Sequence, residues 1–116
     1  MPTANLKTEI RKIGSTSIID IFGEVTGFAE KILMDAYNEA SSDGTRSIIL
    51  NFSDLDYLNS SGIGLLVTML IRTQRQKQKL IACGLGEHYV EIFRLTRLDE
   101  AIGIYSTEKE SLAAAG

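Results

Sequence analysis

Ser60, His88 and several aspartates are the residue types of a nucleophilic hydrolase, so acyl transfer is the first chemistry to test. That chemistry needs a serine on a strained turn beside a base. The G-x-S-x-G elbow that builds the turn is absent, because Asn59 and Ser61 flank Ser60. His88 is the one histidine, and it falls at the start of a helical stretch, where a solvated imidazole is the simpler reading. With only Cys83 and His88 as soft ligands, no structural zinc site of Cys and His can form. No Gly-Lys dipeptide occurs, so there is no P-loop. No metal, cofactor or catalytic residue is expected.

One string remains. Asn59-Ser60-Ser61-Gly62-Ile63-Gly64 places small residues at the start of a helix, whose free N–H groups favour an anion. Its glycine spacing is not that of a dinucleotide fingerprint, and it is expected to follow a linker rather than a strand. Capping accounts for much of it, since Asn and Ser side chains accept bonds from first-turn N–H groups. Gly62 and Gly64 ask for more, because each costs up to ~1 kcal/mol against Ala inside a helix. A backbone from this chain or from a partner is expected to come close there. Leu65 and Met69 extend the apolar start of the helix, either as core or as the border of an exposed docking patch. Two further residues stand out. Cys83 reads as a small buried hydrophobe. Asp20 interrupts an apolar strand and is expected to face solvent near a sheet edge.

The elements that position these residues follow from periodicity. Leu6–Ile13 and Thr16–Phe22 read as two strands joined by Gly14-Ser15, hence antiparallel. Gly23 to Gly27 ends the second. Phe28, Ala29, Ile32, Leu33, Ala36, Tyr37 and Ala40 share one helical face, capped by Thr26 or Gly27 and stopped at Ser41-Ser42-Asp43-Gly44. Arg46–Phe52 is the next strand, Ser53–Leu58 a linker, and the helix from the Asn59 string runs to Gln76. Lys79–Leu85 is a strand, Glu87–Leu98 a helix, Ala101–Tyr105 a strand, and Thr107–Ala115 a closing helix. The order β-β-α-β-α-β-α-β-α predicts one α/β domain with a mostly parallel sheet and one antiparallel edge.

Composition agrees. The chain has 116 residues, long enough for one domain with its own core. Twelve Lys and Arg against fifteen Asp and Glu give −3, with no basic block for nucleic acid. No apolar run reaches the ~18 residues of a membrane helix. The polar first residues predict no signal peptide, and one Cys permits no internal disulfide. A reducing, cytoplasmic setting is expected.

The stretch from Ile48 to Leu65 resembles the signature of STAS domains, and within them the anti-anti-sigma factors (anti-sigma factor antagonists) of bacteria. Gly23-Glu24-Val25 is similar to that family's Gly-Glu/Asp-hydrophobic element. Val90–Phe93 followed by Leu95–Leu98 is similar to its late helix and turn. The likeness spans about residues 6–111. It implies a switch rather than an enzyme. Ser60 would be phosphorylated by an anti-sigma factor serine kinase, with Ser61 as second candidate acceptor, though capping is its expected role. A PP2C-type phosphatase would reset it. The implied partner surface takes in Glu24, Thr26, Asn59, Ser60 and Ser61. Gly62, Ile63, Leu65 and Met69 complete it. Asn59 and Thr26 are neutral where the family often carries carboxylates, which bears on which kinase recognises the site. The competing reading is a STAS scaffold of the stressosome type, or a sensor module that binds a small ligand or nucleotide, without a working phospho-switch.

Overall fold

The computed structural model describes residues 5–42 and 44–116. The first part of the polar leader, residues 1–4, and Asp43 of the expected helix stop lie outside the described residues. Nine main elements follow in the expected order. They are β1 (Leu6–Ile13), β2 (Thr16–Val25), α1 (Glu30–Ala40), β3 (Ser47–Leu58), α2 (Ser60–Arg75), β4 (Lys79–Cys83), α3 (Glu87–Leu95), β5 (Gly103–Tyr105) and α4 (Glu108–Ala115). The strands lie in the sheet in chain order, β1 to β5. β1 is antiparallel to β2 and every other pair is parallel.

Chain order in the sheet follows from the helices. The main core joins one sheet face to α1, α2 and Phe93 of α3, so the three crossovers lie on one side. Right-handed crossovers that stay on one side must step the strands in one direction. α4 returns over the other face, where Leu112, Ala114 and Ala115 pack on Ile18, Ile49, Ile81 and Cys83. β2 and β3 are thus covered on both faces, which is why their sequences read as continuous apolar runs.

β3 differs most from expectation. It runs to Leu58, so the predicted linker at residues 53–58 is strand. β4 ends opposite Asn51, and beyond it β3 pairs only with β2, which itself extends to Val25. Two register irregularities, at Asp20/Phe22 and Gly23/Glu24, carry this extension. With one neighbour strand instead of two, the extension faces water at Ser53, Asp54, Asp56 and Tyr57, so its polar sequence imitates a loop. The third helix is shorter than expected: it stops at Leu95, and Arg97 in the left-handed region (φ 63) turns the chain into a 3-10 turn at Leu98–Glu100.

Asp20 corrects another expectation. It is 7% exposed, not solvent-facing. Arg11 of β1 grips its carboxylate with Nε at 2.7 Å and an Nη at 2.8 Å, and Asn51 of β3 donates to it at 2.8 Å. The same guanidinium reaches Glu108 of α4 at 2.6 and 3.1 Å. A carboxylate in this apolar layer is tolerable only because three donors satisfy it. The Arg11 hydrogen bonds hold the Asp20 carboxyl below the usual carboxylate range, against the upward pull of burial, with Asn51 adding to the effect. Arg11 lowers Glu108 in the same way.

Both folded-state values lie below the unfolded ones, so this stabilisation is complete above the ordinary carboxylate range. It is lost as pH falls through that range toward the folded values. Urea unfolding at successive pH values should show stability dropping below about pH 4–5. Arg11→Met should remove much of that acid-dependent part. It should cost about 1–3 kcal/mol at pH 7, a buried-pair value reduced for Arg11's partial exposure. An unchanged pH profile in the variant contradicts the assignment.

Candidate functional site

The extended β3 delivers Asn59 directly to the start of α2. Asn59 has extended backbone, and its Oδ1 accepts the Gly62 N–H at 2.8 Å, an N-cap bond. The Asn59 N–H donates to the Val25 carbonyl at 3.3 Å, and the Leu58 N–H donates to the Tyr89 hydroxyl at 3.1 Å. The strand end is therefore pinned from β2 on one side and α3 on the other.

This arrangement leaves Ser60 unengaged. It is the first residue of α2, exposed, and among the described residues its hydroxyl has no hydrogen-bond partner. Asn59 performs the capping, so the expected capping role of Ser61 is not filled by Ser61. That residue is also exposed, and it faces Gly27, where an added Cβ would lie 3.4 Å from the Ser61 Cβ. The N-terminus of α2 supplies partial positive charge around both hydroxyls.

The two glycines separate. A Cβ on Gly62 would sit 2.0 Å from the Val25 carbonyl oxygen and 2.8 Å from Leu58 Cδ1. The close backbone expected at Gly62 is thus internal: it is the end of β2. A Cβ on Gly64 would meet nothing within 4 Å, so no internal backbone explains that glycine. Gly64 is exposed four residues after Ser60, on the same side of the helix.

Leu65 and Met69 belong to the core, at 9% and 0% exposure, rather than to an exposed patch. The 3.6-residue period turns both toward the sheet together with Leu66 and Leu70. Ile63 is half-buried, and so are Glu24 and Thr26. Thr26 caps the short 3-10 turn Gly27–Ala29, accepting from the Phe28 N–H at 3.3 Å. Glu24 pairs in register with Tyr57, so the Gly-Glu element lies beside the end of β3.

The sequence reading gives a place at this site to neither of two exposed aromatic residues near it. Phe28 is 63% exposed rather than on the buried face of α1, because the 3-10 turn shifts the helical phase before Glu30. Tyr57 is 49% exposed at the end of β3. Tyr89 was also missed, since nothing in its sequence context announces that its hydroxyl holds a strand end. His88 is exposed at the start of α3 and stacks obliquely on Tyr89. Cys83 is buried, and burial pushes its thiol pKa up, away from reactivity. Among the described residues, no group of three or more His, Cys, Asp or Glu is placed to hold a metal. No described helix is long and apolar enough to cross a membrane.

Comparison with known proteins agrees with this fold. The family model for the STAS domain matches residues 7–111. An anti-sigma-B factor antagonist of Staphylococcus aureus is 24% identical over 86 residues, covering 74% of this chain and 80% of that protein. The crystal structure of an anti-sigma factor antagonist from Mycobacterium paratuberculosis superposes with a TM-score of 0.82 at 19% identity, covering 98% of each chain. The Bacillus cell fate determinant SpoIIAA in its phosphorylated form superposes with a TM-score of 0.72 at 21% identity, covering 95% of this chain and all of that one.

The contrast between the glycines is measurable by thermal or urea unfolding. Gly62→Ala forces the α2 start away from β2 and should lose about 1–3 kcal/mol, the usual cost of overpacking. Gly64→Ala meets open space and should gain up to about 1 kcal/mol from helix propensity. Equal effects at the two positions contradict the close approach.

Proposed function

Because the chain belongs to the STAS domain family, we propose that it works as an anti-sigma factor antagonist controlled at Ser60. In its unmodified state it binds an anti-sigma factor that is also a serine kinase. Phosphorylation of Ser60 by that kinase releases it, and a PP2C-type phosphatase restores the binding form. The chain is a regulatory binding module in a cytoplasmic pathway, not a catalyst. The names of the Staphylococcus and Mycobacterium relatives support this role, and the Bacillus protein of the same fold exists in a phosphorylated form.

The observation that carries the proposal is the division of labour at the start of α2. Asn59 satisfies the helix terminus, and the adjacent hydroxyl is exposed and uncommitted. A kinase can therefore take Ser60 without dismantling a cap. The phosphate adds roughly −1.5 to −2 charge at pH 7. At a helix N-terminus that charge is favoured by about 0.3–1 kcal/mol. The domain should stay folded while the interface changes. Against a bound partner the same charge would be desolvated without a counter-ion, which is costly.

The contact surface is then Ser60, Ser61, Gly64, the half-buried Glu24, Thr26, Asn59 and Ile63, and the exposed rings of Phe28 and Tyr57. Buried Gly62 belongs to the site by shaping it, while Leu65 and Met69 support it from the core. Gly64 leaves room for a partner's backbone beside the hydroxyl. Neutral Asn59 caps the helix as an aspartate would, without setting a carboxylate next to the incoming phosphate.

Titration calorimetry with the cognate anti-sigma kinase tests this directly. Ser60→Asp should weaken binding by at least tenfold with an unchanged melting profile, and Ser60→Ala should bind like the unmodified chain but resist release by ATP. Phe28→Ala should weaken binding by about 1–3 kcal/mol, as expected for an aromatic anchor. Undiminished affinity of Ser60→Asp contradicts the switch.

A further inference from the structure

We propose that two copies of this chain pair edge to edge through β1, antiparallel and centred on Thr8, so that their sheets join into one. β1 is an outer strand of the sheet. It is eight residues long, above the usual length of a strand left at an edge. The turn Gly14-Ser15, with Gly14 at φ 60, makes Ile13 and Thr16 the first hydrogen-bonded pair with β2. Ladder alternation then commits Arg11, Glu9 and Lys7 to β2. The bond from Glu24 N–H to the Asn5 carbonyl at 2.8 Å keeps the same phase. Ile10, Thr8 and Leu6 consequently direct their N–H and C=O groups outward.

The sequence of this edge is complementary to itself when reversed about Thr8. Thr8 meets Thr8 of the second copy, Leu6 meets its Ile10, and Lys7 meets its Glu9. Lys7 and Glu9 already approach each other within one chain at 3.5 Å, so the pairing completes an alternating quartet of charges. On the opposite face, β1 borders an open cleft lined by Thr8, Ile10, Ile32 and Ala36, with Asp35 and Glu39 at its rim. Leu6 of the second copy would enter that cleft beside Ile10. Leu6, Ile10 and Ile32 are all half-buried in the single chain, which fits an apolar strip with one side uncovered.

Neighbouring registers are worse. Centring on Glu9 sets Glu9 against Glu9 and Lys7 against Arg11, all like charges. Centring on Ile10 needs Arg11 as the partner of Glu9, but Arg11 is held between Asp20 and Glu108. Charge complementarity therefore selects both the second copy as occupant and the Thr8 register. The contact is isologous and closes at two copies. The contact consists of one strand pair and one leucine per copy entering a cleft, so the dimer is expected to dissociate on dilution. β3 runs antiparallel to β1, so the two α2 N-termini point to opposite ends of the joined sheet, and both stay open.

Sedimentation equilibrium of the full chain from ~10 µM to ~1 mM is the test. The mass should rise from 12.7 kDa toward twice that value. Glu9→Lys and Lys7→Glu should each raise the dissociation constant at least tenfold, while the double swap Lys7→Glu/Glu9→Lys returns it to within about threefold. Thr8→Pro removes an outward N–H without touching the β2 ladder, and should be monomeric with an unchanged circular dichroism spectrum. A monomer at every concentration overturns the proposal. So does a dimer indifferent to Glu9→Lys, or one that the charge swap fails to restore. None of these readings depends on an anti-sigma factor.

Discussion

The start of α2 lies so close to the end of β2 that residue 62 can carry no side chain. The Gly62 Cα faces the Val25 carbonyl, and a single added carbon would sit 2.0 Å from that oxygen. The rest of the site depends on this approach. It brings the Asn59 N–H to the Val25 carbonyl and lets the Asn59 side chain cap the helix through the Gly62 N–H. Because those groups satisfy one another, the next residue has an exposed hydroxyl with no structural duty. The serine is left uncommitted here because its neighbours satisfy one another.

The approach requires strands that reach far enough. β3 overshoots β4, and β2 follows it through two irregularities, so that Val25 and Leu58 arrive together. Midway along the same strand pair, Asp20 and Asn51 sit side by side, with Arg11 joining β1, β2 and α4. This polar knot lies in an otherwise apolar layer. It is stable because every charge has a partner, and vulnerable for the same reason. The site and the knot use one scaffold, the β2–β3 pair, for different ends.

Periodicity was enough to read the order of elements, the buried faces of α1 and the sheet strands, and the serine string at a helix start. Context decided the remainder. Residues 53–58 are strand because β2 continues beside them, a fact no local pattern carries. Phe28 lies outside α1 because Thr26 caps a 3-10 turn first. Leu65 and Met69 are core because the helix turns them toward the sheet, whereas composition left either side open. Asp20 looked like a surface residue because its partners, Arg11 and Asn51, come from two other elements. Gly62 and Gly64 look alike in sequence and differ only in what stands opposite them.

The central claim is that Ser60 is the residue through which this domain is switched. Phosphosite mapping by mass spectrometry, on the protein isolated from its own cells with and without stress, tests it most directly. The account predicts phosphate on Ser60 with an occupancy that changes between the two conditions. Phosphate confined to another residue, or none in either condition, would contradict it.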